Sequence, residues 1–377
     1  MKIAMVGQFP PHIGGVGVHI NSLSKELLKN GEEVFVITYP HKDIKNEVNK
    51  DYMDNNGIKV IGTRGINIPG LRSLFYVLFG TINLIRIVRK YNIDIIHGHY
   101  LYPAGLIAVL GGMFTKKKVY VTSHGSDMFC LYPQHKFMRP IIRFVLKRAD
   151  VVLAVSESLK EEILKTNIPN IERKVRLNWN TVDINEFKIA NNDSDHHSKN
   201  NSNYNFKNEL NIPKDKPIIL FVGNIIKRKN VATIIDAKKQ LKSGCVLVVV
   251  GDGPLLNSLK EKVKVENVED VIFTGARNDI ANVIQSSDLL ILPSYSESFG
   301  LVLIEALACG KPVIGSNVGG IKEIITDDVG LLVEPTDSKG LANSIDLILS
   351  DKKLREKFQS NARDRAMDFS EVDIPYY

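Results

Sequence analysis

Cysteine is scarce. Cys130, Cys245 and Cys309 are the only three in 377 residues, and they stand far apart with no CxxC and no Cys/His cluster. That argues against a disulfide framework or a structural zinc site and fits a reducing cytosol. Long apolar runs are missing too: the uncharged apolar segment Ser73–Ile85 is too short to span a bilayer. The apolar start of MKIAMVGQF breaks at Gln8 and Pro10, so it reads as a first strand and not as a signal peptide. The GxGxxG dinucleotide fingerprint is also absent. The loop FPPHIGGVGVH lacks the third glycine, and Thr38, Tyr39 and Pro40 stand where an acidic residue would close the second strand. What remains is ordinary for a soluble protein, 44% hydrophobic and 24% charged, and 377 residues exceed what one core usually supports, so two domains are expected.

The net charge of +7 is uneven. Between Leu71 and Arg148 twelve Lys or Arg face two acids, Asp94 and Asp127, a local excess larger than that of the whole chain. Leu71–Tyr91 and Lys136–Arg148 mix aromatic and aliphatic residues with these cations. That is the composition of a solvated helix face or of an interfacial helix on an anionic membrane. No nucleic-acid motif accompanies the charge, so nucleic acid is not expected as a partner.

Short aliphatic runs at Ile3–Val6, Val34–Thr38, Ile93–His97, Val119–Thr122 and Val151–Val155 alternate with helix-period segments at Val18–Lys29, Leu101–Met113 and Met138–Lys147. Such alternation predicts a doubly wound parallel sheet. Gly14, Gly15 and Gly17 in the first β-α connection let backbone approach a ligand closely. DIIHGHYLYPAG and VTSHGSD follow. His97 and His99 read as structural histidines at a strand end; His124 and Asp127 come directly after a strand, at the edge where ligands bind. The tract from Ala190 to Asn208 is polar and low in complexity, so it reads as a linker, and His196–His197 within it carries no metal reading. A second set of β-α units begins at Pro217–Val222 and continues through Val246–Val250 and Val271–Thr274.

The most informative stretch is Ile291–Gly320. Leu289–Leu292 reads as a buried strand ending at Pro293, and a second apolar run holding Gly300, Glu305 and Ala306 reads as a helix that stops at Gly310. Pro312–Gly315 then reads as the next strand. The loop and helix N-terminus in such a unit favour a phosphate. Glu297 and Glu305 flank that place, and carboxylates there suit a ligand carrying hydroxyl donors on either side of its phosphates, the layout of a nucleotide-sugar.

The segment ESFGLVLIEALACGKPVI resembles the E-x7-E signature of family 4 (group 1) retaining glycosyltransferases, and other motifs of that family follow in order over about residues 1–370. The resemblance implies the GT-B fold, two Rossmann-like domains facing a cleft. It assigns Glu297 to donor-sugar hydroxyls, Glu305 to the ribose, and the Phe299–Gly300–Leu301 amides to the distal phosphate. Gly14 and Gly15 match the loop over the donor diphosphate, and His124 the histidine that hydrogen-bonds the transferred sugar. Asp127 is a donor-site or a helix-capping residue, and the loop GARND around Arg277 matches the one whose backbone meets the base. NWNTVDINEF matches an element near the end of the first domain, with Thr181 at a usual glycine position. The family's G-R-x(4)-K-G loop is GNIIKRKN here. Lys229 keeps its place, Asn224 replaces the arginine and Asn230 the glycine, and either Lys227 or Arg228 supplies the missing charge.

The expected division is 1–188, a polar linker at 189–212, and 213–377 ending in a shortened crossover after FSEVDIPYY. The expected activity is hexosyl transfer from a nucleotide-sugar, with retention, to a glycan, lipid-linked or small-molecule acceptor. His124, Lys229 and Glu297 are its catalytic candidates. No metal or other cofactor is expected, because helix-terminus amides and Lys229 take the charge role of a cation. The expected place is the cytoplasm, at the inner face of the membrane. Three other classes use parts of the same pattern: a GT-B nucleotide-sugar epimerase, a nicotinamide-dependent dehydrogenase, and an inactive partner subunit.

Overall fold

The computed structural model describes residues 1–10, 14–39, 52–53, 57–63, 72–189 and 206–377. Residues 190–205 of the expected linker, with His196–His197, and part of the first glycine loop lie outside them; residues 206–212 are not linker, since Phe206–Glu209 is a short helix and Phe206 and Ile212 are buried. The chain forms two compact units, Met1–Asn180 together with Val372–Tyr377, and Thr181–Glu371.

The first unit is built on strands β1 (Lys2–Val6), β2 (Glu33–Thr38), β3 (Tyr52–Met53), β4 (Lys59–Gly62), β5 (Ile95–His99), β6 (Lys118–Ser123), β7 (Val151–Ala154) and β8 (Val175–Leu177). They lie in the order β3-β4-β2-β1-β5-β6-β7-β8; β3 is antiparallel and the other seven are parallel. The central strands are buried on both faces, which is why they read as unbroken aliphatic runs. β5 begins two residues later than its apolar run suggests. Asp94 is held outside the ladder by pairing with the Lys2 backbone, and the strand extends to His99, so His97 and His99 are both strand residues.

The second unit carries β9 (Ile218–Val222), β10 (Val246–Val250), β11 (Val271–Gly275), β12 (Leu289–Leu292), β13 (Val313–Ser316) and β14 (Gly330–Val333). All are parallel, in the order β11-β10-β9-β12-β13-β14. The helix between β12 and β13 is Leu301–Ala308. Gly300 precedes it at φ 106 and Gly310 follows at φ 71, conformations that favour glycine. The Gly310 and Lys311 amides donate to Leu307 and Ala306, the paired bonds of a Schellman stop.

The units divide earlier than the polar tract implies. Val182 donates its amide to Phe369, and Arg363 donates to the Ile184 and Phe187 carbonyls, so residues 181–189 belong with the second unit. The helix Lys352–Met367 is followed by a strap, Val372–Tyr377, that belongs to the first unit. Thr181 does not enter the left-handed region, so this position tolerates a side chain.

Candidate functional site

In the second unit the loops after β9 and β12 bring together a cluster of charge. A 3-10 turn, Lys227–Lys229, follows β9 and is tied to the second loop by the Tyr295 amide donating to the Arg228 carbonyl at 2.9 Å. Lys229 Nζ donates to Glu297 Oε2 at 2.5 Å. Arg228 Nη1 lies 3.4 Å from Glu297 Oε1 and donates to the Ser296 carbonyl at 2.8 Å. Glu297 is only 6% exposed. Burial alone would push its carboxyl up, but Lys229 and Arg228 together outweigh that and hold it below the usual range. Arg228 thus joins Lys229 on the carboxylate, whereas Lys227 and Asn224 are exposed. Asn230 stands in the left-handed region at φ 55, and its amide donates to the Pro293 and Pro335 carbonyls. The loss of glycine there therefore keeps the turn.

Beyond this cluster, the first amides of Leu301–Ala308 have no partner within the helix. Phe299 is buried against Phe369, with ring centroids 5.5 Å apart. Glu305 is half-buried, and its carboxylate makes no hydrogen bond among the described residues. Burial, and secondarily the charge of Glu186, push its carboxyl up to about 7. Arg277 is committed within the fold, donating twice to Asp279 and pairing with Glu209 at 2.6 Å. Its side chain therefore holds the loop, and what the loop offers a ligand is backbone.

In the first unit Gly14 and Gly15 open the helix Gly15–Lys29, which presents His19 one turn later. At the same sheet edge stand His97 and His99 from β5 and His124 after β6. The ring centroid of His19 lies 5.5 Å from that of His99 and 5.1 Å from that of His124, and His99 Nδ1 lies 3.4 Å from His124 Nε2. All four imidazoles are held neutral, chiefly by burial: His19 is lowered to about 4, His97 to about 3, and His99 and His124 well below their ordinary value. The Nε2 atoms of His19 and His99 and the Oδ1 of Asn180 are buried with no hydrogen-bond partner among the described residues. His19, His99 and His124 could together hold a metal ion, since their candidate ligand atoms all lie within 4.8 Å of one another. Neutral ring nitrogens suit hydroxyl groups equally well.

Asp127 opens the helical turn Asp127–Leu131, whose N-cap residue, Ser126, makes no side-chain cap bond, and Asp127 is committed within the fold by other contacts. Its buried carboxylate accepts from Ser123 Oγ at 2.7 Å and from the amides of Leu101, Gly125 and Met128, which uses up its acceptor positions. Burial pushes its pKa up, with those four bonds opposing. His19, Asn180 and Arg228's partnership with Glu297 have no local signature. Only the topology brings them to the sites.

Residues 202–365 match the family "Glycosyl transferases group 1" and residues 13–186 match "Glycosyltransferase Family 4". The "N-acetyl-alpha-D-glucosaminyl L-malate synthase" of Bacillus anthracis is 31% identical over 94% of this chain and 89% of its own length. An uncharacterized glycosyltransferase of Methanocaldococcus jannaschii is 30% identical over 96% of this chain and 93% of its own. Among solved structures, the sucrose-phosphate synthase of Thermosynechococcus elongatus superposes with a TM-score of 0.79 at 24% identity, covering 98% of this chain and 94% of that one. Anabaena HepE in complex with UDP and glucose gives 0.81 at 21%, covering 99% and 96%. These structural likenesses establish the fold, two parallel-sheet α/β units of the GT-B type.

Proposed function

The chain belongs to the group 1, family 4 glycosyltransferases, and from that premise we propose that it transfers a hexosyl group from a nucleotide-sugar to an acceptor hydroxyl with retention of anomeric configuration. The observation that carries the reading is Glu297 clasped by Lys229 and Arg228 beside the N-terminus of the helix Leu301–Ala308. A diphosphate arriving there takes the two cations and the helix amides, and frees the carboxylate to accept from donor-sugar hydroxyls. His124 hydrogen-bonds the transferred sugar, and Glu305 accepts from the ribose. The leaving phosphate assists a same-face displacement, which needs no covalent nucleophile from the protein. Incubation with radiolabelled UDP-, GDP- and ADP-sugars tests this. Label passing to an acceptor or to water supports it, and donors that stay intact with every acceptor leave the inactive-partner reading.

Glu305 makes the donor site pH-dependent. Only the ionised carboxylate accepts two ribose hydroxyls, and its pKa is pushed up to about 7. Nucleoside-diphosphate affinity should therefore rise as pH increases through 7, with proton release on binding. Stability runs the other way: the folded pKa lies above the unfolded one, so this group's contribution is full below about 4.5 and is lost as pH rises through 7. Calorimetry should show Glu305→Ala weakening nucleotide binding by about 1.5–3 kcal/mol, and Glu305→Gln flattening the pH profile. Equal affinity in wild type and Glu305→Ala would remove Glu305 from the site.

The membrane-facing reading also acquires definite residues. On the helix Arg72–Tyr91, Leu74, Leu78 and Ile82 are exposed at successive turns, followed by exposed Arg86 and Arg89. Phe75 and Phe79 are half-buried and stack on each other. The neighbouring helix Leu106–Thr115 ends in exposed Met113 and Phe114, ahead of exposed Lys116. Arg139 and Arg143 are spent on the Tyr132, Pro133 and Thr166 carbonyls, which shrinks the contribution of the segment Lys136–Arg148. No helix among the described residues is long and apolar enough to cross a membrane. Each exposed cation near an anionic surface is worth about 1 kcal/mol. Co-sedimentation with phosphatidylserine vesicles at low salt is expected, weakening as salt rises, and Leu74→Glu/Leu78→Glu should abolish it. Failure of the wild type to sediment would defeat this reading.

A further inference from the structure

The strap Val372–Tyr377 reaches the histidine cluster of the first unit. Tyr376 is buried, with its ring edge-on to Tyr120 at 5.1 Å and to His97 at 5.7 Å. Its hydroxyl lies 2.6 Å from His97 Nδ1, and the other ring nitrogen, Nε2, lies 2.7 Å from Thr122 Oγ1. Val372 and Ile374 pack against the same core. Asn178 donates to the Asp373 carbonyl and carboxylate at 3.0 and 3.1 Å, and the Tyr377 hydroxyl donates to Glu32 at 2.9 Å. The strap is thus fastened along its length, and the one polar group it buries in the core is the Tyr376 hydroxyl, bonded to a histidine.

That histidine does not face a ligand. Both of its nitrogens are used, it is buried, and it stays neutral. Its ring packs on His99 with centroids 4.1 Å apart, and His99 in turn contacts His124. A neutral imidazole has one N–H, so its two partners fix which nitrogen carries it. Tyr376 remains protonated, because burial raises its pKa well above 10, and so it has a proton to give.

We propose that Tyr376 is a positioning residue: its hydroxyl donates to His97 Nδ1, which places the imidazole proton on Nε2 toward Thr122 and fixes the ring against which His99 and, through it, His124 are set. The hexapeptide strap is then part of the transferase machinery and not only a terminus packed on a core. This rests on the reading of His124 as the residue that meets the transferred sugar.

Tyr376→Phe keeps the ring and removes only the hydroxyl. The expected result is a fall in kcat of about tenfold, with donor KM within twofold. It should come with a change in the His97 and His99 imidazole resonances in spectra of histidine-labelled protein. Val372→Ala is the control, since it loosens the strap without touching the hydroxyl; it should lower Tm while leaving those resonances in place. Unchanged imidazole resonances in Tyr376→Phe would overturn the proposal, as would wild-type kcat. If the wild-type protein moves no sugar at all, the transfer reading fails by itself, while the imidazole spectra still decide whether Tyr376 sets the histidines.

Discussion

Lys229→Ala is expected to lower kcat by on the order of 10²-fold or more, because a cation on the departing diphosphate contributes most where negative charge develops. The structure adds a second consequence. Lys229 is largely buried and makes the short contact to Glu297, while Arg228 stands farther away at 3.4 Å. Without Lys229, one of the two cations that oppose burial is lost and the Glu297 carboxyl rises. The sign follows from a depressed acid: its stabilising contribution is present above the unfolded pKa and is lost as pH falls through the folded one. The acid limb of the residual activity should therefore move to higher pH in the variant, and stability near neutral pH should drop. Arg228→Ala should produce a loss of the same kind, whereas Lys227→Ala, at an exposed position, should stay within about twofold. Steady-state kinetics over pH 5–9 checks all three. A raised KM with intact kcat would show that Lys229 only binds, and a large effect at Lys227 would move the missing arginine's role there.

Much of the fold is legible in the sequence because parallel strands buried on both faces have no alternation to hide them. Val246–Val250 and Leu289–Leu292 begin and end where the aliphatic runs do. Gly300 and Gly310 mark their helix because both positions need left-handed backbone. The short edge strands β3 and β8 leave no comparable trace, and neither does the boundary between the units, which depends on single bonds such as that from Val182 to Phe369. Site residues divide along the same line. Glu297 and Glu305 are visible because a motif surrounds them, yet the sequence gives Glu297 no partner, since Lys229 lies 68 residues away. Asp127 has four donors, one of them the Leu101 amide 26 residues away, and no local motif announces that partner. Asn230 looked like a loss and proves a replacement, because asparagine also adopts the left-handed region. Tyr376 and His97 are 279 residues apart, and no periodicity links them.

The site's shape depends on a third element that carries no functional group, the pair Gly319–Gly320 after β13. Gly320 donates its amide to the Glu297 carbonyl at 3.1 Å, so this turn lies directly against the loop that presents Glu297 and Phe299. A β-carbon on Gly320 would stand 2.3 Å from the Ser298 carbonyl oxygen and 2.8 Å from Phe299 Cα. Those are backbone atoms with no rotamer to change, so the added methyl must displace the Glu297–Leu301 backbone. Overpacking of this kind costs about 1–3 kcal/mol of stability. The functional loss should exceed it, because a shift of about 1 Å in a positioned group can cost on the order of 10²-fold in rate. Gly320→Ala is therefore expected to remain folded with a lowered Tm, to lose about 10²-fold in kcat/KM, and to bind nucleoside diphosphate more weakly. Gly244, whose β-carbon would meet nothing within 4 Å, provides the matched control, and Gly244→Ala should be near wild type in both assays. Wild-type kcat/KM in a folded Gly320→Ala protein would mean that the Glu297 loop tolerates displacement, and that its position in this structure is not what the reaction requires.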